Sequence, residues 1–187
     1  MTPKQIEVEY RSRISEEEYH ALIAFLNAHA EDLGEDDKSI HFFLFPDKTL
    51  KVTDNISQGS AKITLKLNRI GNGAMFEELE VPIARTDVDK MVRIFDTFGF
   101  DHLIEPIVKR HNYTYKGVEL AVKYSESWQY HVELEVMIND EAEHAAAEAK
   151  IRTVADELKL HIMTEEELTA FTTVLENNYR KNKAPTV

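Results

Sequence analysis

Cysteine is absent from all 187 residues, which excludes disulfide scaffolds, zinc–thiolate sites and cysteine nucleophiles. Basic residues are scarce too: 22 Lys plus Arg stand against 34 Asp plus Glu, a formal net charge of −12. Nucleic-acid binders normally carry the opposite surplus, because neutralising phosphates releases counterions, so that class is set aside while a local basic site is not. No apolar run approaches the roughly 18 residues that a membrane-spanning helix needs. The opening MTPKQIEVEY reaches charged positions too soon for the apolar stretch of a secretory signal. No stretch rich in glycine, proline or serine divides the chain, and its length fits one domain at about 100–200 residues each. These absences predict a soluble, cytoplasmic protein forming one domain over 1–187, with neither membrane nor nucleic acid as partner.

What is present is strand and helix rhythm. From Gln5 to Arg11 apolar and charged residues alternate, the period of a strand. Ser15 with Glu18 makes a capping box, and Tyr19, Leu22, Ile23, Leu26 and Leu33 predict a helix over 16–33, followed by a polar turn at 34–39. Four β-prone runs lie between His41 and Ile83, divided at Pro46-Asp47, Ser57-Gln58-Gly59 and Gly71-Asn72-Gly73. A helix from Thr86 or Asp87 should turn Val88, Met91, Val92, Phe95 and Phe98 inward and stop at Gly99. Three further strands fill 107–138. Asn139 should cap a helix running through Val154 and Leu158, Thr164 with Glu167 a last one, and 181–187 should fray.

The charged residues keep one parity on five strands. Glu7, Glu9 and Arg11 oppose Ile6, Val8 and Tyr10; Lys51 opposes Leu50 and Val52; Lys62, Thr64 and Lys66 oppose Ile63, Leu65 and Leu67. Glu78 and Glu80 oppose Leu79, Val81 and Ile83, and Glu133 and Glu135 oppose Val132, Leu134 and Val136. Residues two apart on a strand share a face, so an antiparallel sheet with one wet face would account for each strand singly. Segregation of sign points further, because a merely solvated face mixes charges to balance them locally. Lysines gather on neighbouring runs and glutamates come in pairs, which suggests a cation site beside an anion site. Glutamates at i and i+2 lie roughly 7 Å apart at the backbone and can converge on a divalent ion. Oxygen-only ligation favours Mg²⁺ or Mn²⁺ over zinc.

Glu7-Val8-Glu9-Tyr10-Arg11 resembles the ExExK signature that opens the CYTH superfamily, the triphosphate tunnel metalloenzymes. Lys62-Ile63-Thr64-Leu65-Lys66, Glu78-Leu79-Glu80, Lys109-Arg110 and Glu133-Leu134-Glu135 follow in the family's order, over a core of about 5–175. The resemblance implies an α+β fold: a closed eight-stranded antiparallel β-barrel with a polar interior, a tunnel, and helices packed outside. It implies a hydrolase that uses Mg²⁺ or Mn²⁺ to activate the water attacking the terminal phosphate of tripolyphosphate or an organic triphosphate such as thiamine triphosphate. Glu7, Glu9, Glu133 and Glu135 would be metal ligands, with Glu7, Glu9 and Arg11 catalytic. Arg11, Lys51, Lys62, Lys66, Arg110 and Lys123 would bind substrate, with Glu78 and Glu80 supporting.

Arg11 replaces the signature lysine by a permanently protonated plane that cannot serve as a base. Lys123 stands where many members have an acid, and Trp128-Gln129 where Leu-Gly is common. Two other readings stay open: a cyclase making cyclic AMP and pyrophosphate, and a module that binds triphosphates without turnover. A homodimer is the oligomer considered. His41, His111 and His131 are read as structural or exposed, and Trp128 with Tyr124 and Tyr130 as packing residues rather than ring-stacking ones. The runs Glu16-Glu17-Glu18, Glu35-Asp36-Asp37 and Glu165-Glu166-Glu167 are read as solvated and without chemistry.

Overall fold

The structure, a computed structural model, describes residues 6–68 and 73–183. Gln5, Gly71, Asn72 and the last four residues therefore lie outside it. In chain order the elements are β1 (Ile6–Arg13), α1 (Glu16–His29), β2 (Glu31–Glu35), β3 (Lys38–Leu44), β4 (Thr49–Asn55), β5 (Ser60–Lys66) and β6 (Met75–Ile83). Then come α2 (Val88–Asp96), β7 (Asp101–Tyr115), β8 (Val118–Ser125), β9 (Gln129–Ile138), α3 (His144–Glu157) and α4 (Glu165–Lys183).

The antiparallel strands run β7-β3-β4-β5-β6-β1-β9-β8, and β8 returns to β7. Eight strands thus close into the expected barrel, and β2 is an additional ninth on the outer run of β7. Closure works because β7 is long. Its first half, Asp101 to Val108, pairs β3, and its second half, Lys109 to Tyr115, pairs β8. The β7–β8 turn is Lys116-Gly117, with φ of 51° and 72°. Two consecutive left-handed residues make the tight hairpin that matches strand twist.

The apolar parity faces outward and is covered there. Ile6, Val8, Leu120, Val122, Val132 and Leu134 pack with Leu22 and Leu26 of α1 and Ile151 and Val154 of α3. On the other flank Phe43, Leu50, Val52 and Ala61 meet Val88 and Val92 of α2. Burial of aliphatic groups, about 25 cal/mol per Å², therefore accrues outside the barrel wall and leaves the interior to the charged parity.

Several expectations are corrected. The first helix ends at His29, because residues 31–35 satisfy their backbone on β7 instead. Leu33 is consequently exposed rather than core. The expected turn at 34–39 is a two-residue break, Asp36-Asp37, between β2 and β3, and both aspartates are buried. Phe98 projects outward beyond the end of α2, while Leu79, Val81 and Leu67 lie on wall that leaves them exposed. The second β block begins at Asp101, six residues early. Asp140, not Asn139, caps the following turn by accepting the Ala142 N–H at 2.9 Å. Lys181–Lys183 remain helical. The Ser15–Glu18 and Thr164–Glu167 capping boxes both form.

Candidate active site

Inside the barrel is a cavity of about 1030 Å³ lined by Glu7, Glu9, Arg11, Lys51, Lys62, Lys66, Glu78, Glu80, Arg110, Lys123, Glu133 and Glu135. Every predicted site residue is present. The cross-strand register explains their grouping. Glu9 lies opposite Glu135, which lies opposite Glu119, so three carboxylates form one row across β1, β9 and β8. Lys66 lies opposite Glu78 on β6.

At one pole Lys66 Nζ donates to Glu7 Oε2 at 2.8 Å and Glu9 Oε2 at 3.3 Å, and pairs Glu78 Oε1 at 2.8 Å. Lys66 is held charged, its pKa driven upward by Glu9, Glu7 and Glu78 against the opposing effect of burial. Burial, then the charge of Glu9, pushes the Glu7 carboxyl up to about 10, against the pull of Lys66. This biases Glu7 toward its protonated form, with Glu9, Glu78 and Glu135 as the carboxylates that surround it. Burial opposes ionisation of Glu78 as well, yet Lys51 and Lys66 bring it down to about 2.

At the other pole Glu133 is ringed by cations: Lys123 Nζ at 2.9 Å, Arg11 Nε at 3.1 Å and Arg110 at 3.6 Å. Arg11 also pairs Glu9, linking the two poles. Burial works against the Glu133 charge, but Lys123, Arg11 and Arg110 hold its carboxyl well below the usual range. Burial and the neighbouring Arg110 charge lower Lys123. Burial and Lys66 likewise bring Lys51 down to about 8. Lys62 sits nearer the rim, 2.5 Å from Glu80.

Lys38, Glu119 and His131 are among the lining residues that escaped the sequence reading. Lys38 enters from the start of β3 and meets Asp36 at 2.6 Å. Asp36 also accepts from Asn55 at 2.5 Å and Asn112 at 3.2 Å and lies 3.4 Å from Arg110. It is thus a buried anchor for two cavity cations rather than a solvated acid. Glu119 shares parity with Lys123, a signal present in the sequence and overlooked. His131 lines the cavity and stays neutral, burial and Lys123 bringing it down to about 3. His41 and His111 are structural, bonded to His102 at 2.9 Å and Asp32 at 2.6 Å. Changing Asp36 to Asn removes the partner of Lys38 and Arg110 and should lower the melting temperature, and an unchanged melt would remove Asp36 as their anchor.

The sequence profile of the CYTH domain matches residues 5–167. The chain belongs to the CYTH domain family. Solved structures superpose on this CYTH barrel. A conserved hypothetical protein of Pyrococcus furiosus shares 27% identity at a TM-score of 0.68, covering 86% of this chain and 99% of its own. A candidate adenylate cyclase of Vibrio parahaemolyticus shares 16% at 0.64, covering 88% and 92%. A Hippeastrum candidate adenylyl cyclase, described as having a dominant triphosphatase activity, shares 14% at 0.59, covering 84% and 89%. A search of curated proteins by sequence finds no match. Among the described residues of this CYTH chain no helix is long and apolar enough to cross a membrane.

Gln129 stands where the family pattern commonly has glycine. Its φ of 58° is left-handed, the geometry that makes glycine the easy residue there. Glutamine holds it with Nε2 donating to the Glu126 carbonyl at 2.6 Å.

Proposed function

We infer that this CYTH protein is a divalent-metal-dependent triphosphatase, releasing orthophosphate from a linear triphosphate. The observation that carries the reading is the sorting of buried charge within one cavity, carboxylates around Lys66 at one pole and cations around Glu133 at the other. A triphosphate placed there draws Arg11, Lys123, Arg110 and Lys51 onto its oxygens, with Lys38 and Lys62 extending the grip.

The carboxylate pole fits a hard divalent cation. Its donors are all oxygen. Like-charged residues directly opposed across strands are destabilising unless neutralised, and here Lys66 and the Glu7 proton do that work. Glu9 Oε1 is buried with no hydrogen bond of its own among the described residues, although Arg11 lies beside it. As the side chains stand, no three described acids or histidines close on one metal position. Glu7, Glu9 and Glu135 would hold Mg²⁺ or Mn²⁺ once Glu7 loses its proton, and Glu133 would join them as phosphate oxygens draw its cations away. The bound ion would supply charge neutralisation on phosphate and a lowered pKa for water. Arg11 positions and neutralises; it moves no proton, since burial is outweighed by Glu9 and Glu133, which keep it charged.

Release of orthophosphate from tripolyphosphate, thiamine triphosphate and ATP with Mg²⁺ and Mn²⁺ is the direct test. Expected is phosphate release that a chelator abolishes and either metal restores. Pyrophosphate plus cyclic AMP as the products from ATP would overturn the reading in favour of a cyclase, and tight binding without product in favour of a binding module. The pH profile follows from Lys51. A lysine lowered to about 8 loses its charge as pH rises through that value, so kcat/KM should bend downward above about pH 8. Lys51→Arg should remove the bend, and its persistence would assign the titration elsewhere.

A further inference from the structure

Two of the departures from the family pattern, Arg11 and Trp128, lie against each other. The Arg11 guanidinium carbon lies 5.3 Å from the centre of the Trp128 ring, within the range where a cation is attracted to an indole face. Two other rings hold the indole in place. Phe171 of α4 meets it edge-on at 4.8 Å and 63°, and His131 lies at 5.2 Å. The Trp128 backbone N–H donates to Ser125 Oγ at 3.3 Å across the hairpin, whose neighbour Ser127 hydrogen-bonds Glu105.

Resting on the triphosphatase reading, we propose that Trp128 is a positioning residue for Arg11, its ring face orienting the guanidinium plane so that one fork reaches both Glu9 and Glu133. An arginine here needs such a wall. A lysine ammonium is a compact point charge that two carboxylates can hold from any direction. A guanidinium is planar and weakly hydrated, donates in fixed directions, and stacks on aromatic faces. Arg11 has one carboxylate on Nε and another on Nη2, which fixes its plane. Trp128 bears on that group, the guanidinium carbon lying over its ring. The residue also shields the pair from water, since Arg11 is 7% exposed. Trp128 therefore acts on substrate through Arg11 and is not a platform for a nucleobase, because its ring is already engaged by Arg11, Phe171 and His131.

A double-mutant cycle tests this, using Arg11→Lys, Trp128→Leu and the double variant, with Trp128→Phe as the conservative rescue. Binding of tripolyphosphate with Mg²⁺ is measured by calorimetry, and turnover separately. Each single variant should weaken binding about tenfold, in line with a partly desolvated cation–π contact. The double variant should bind no worse than the weaker single, and Trp128→Phe should recover most of the loss. Trp128 is the only tryptophan in the chain, so its fluorescence reports the contact without turnover. Emission should shift when tripolyphosphate binds wild type, and shift less in Arg11→Lys.

Additive losses, or wild-type affinity in Trp128→Leu, would overturn the proposal. So would a Trp128→Leu defect confined to ATP and absent with tripolyphosphate, which would make the residue a base platform. If Trp128→Leu fails to fold, Trp128→Phe and Arg11→Lys with their double variant complete the cycle, and additivity there is equally decisive. Binding without turnover in wild type would instead defeat the triphosphatase reading and leave the cycle interpretable.

Discussion

Lys66→Ala should abolish turnover, a loss of at least about 10²-fold, and should destabilise the protein by about 3–5 kcal/mol, the usual cost of leaving a buried partner unpaired. Lys66 is the common counterion of Glu7, Glu9 and Glu78. Without it three carboxylates share a buried pole whose proton on Glu7 neutralises only one of them. A distinguishing consequence follows. If this pole is the metal site, Mg²⁺ or Mn²⁺ should raise the melting temperature of the variant by more than it raises that of wild type, because the ion supplies the charge that alanine removed. Melts with and without metal, beside phosphate-release assays, check both parts. Wild-type turnover in Lys66→Ala would move the active site elsewhere, and a metal-insensitive melt would separate this pole from metal binding.

Glu133→Gln has the opposite electrostatic sign and should separate binding from chemistry. The substitution keeps size and removes the charge that holds Lys123, Arg11 and Arg110 together. Lys123 then loses its carboxylate partner, while Arg11 keeps Glu9 and Arg110 keeps Asp36, so the cation pole gains net charge, stability falls and a polyanion restores it. Tripolyphosphate should bind at least as tightly as to wild type while kcat drops about 10²–10³-fold. The acid side of the stability profile provides an independent check. A carboxyl held well below its ordinary value contributes stability above about pH 4.5 that is lost as pH falls towards its folded value. In Glu133→Gln that acid-linked loss should shrink. Weakened tripolyphosphate binding with unchanged kcat would show that Glu133 supports the grip and takes no part in chemistry.

Alternation along β1, β5, β6 and β9 determined by itself that Glu7, Glu9, Lys66, Glu78, Glu133 and Glu135 would share a polar surface, because a strand's period of two is fixed by local geometry. The capping boxes at Ser15 and Thr164 were equally legible, each bond spanning only three residues. Local periodicity is silent about which strand meets which, and the site's chemistry depends on that. Leu33 continues the apolar spacing of α1, and only the free edge of β7 makes residues 31–35 a strand. The resulting break buries Asp36 against Lys38 and Arg110, turning an acidic run that reads as solvated into an anchor. Barrel register likewise set Glu135 among carboxylates and Glu133, two residues away on the same face, among cations. The sequence thus determined which side chains face the cavity. Closure of the barrel decided which charges meet there, since buried electrostatics depend on neighbours over 100 residues apart in the chain, as Arg11 and Glu133 are.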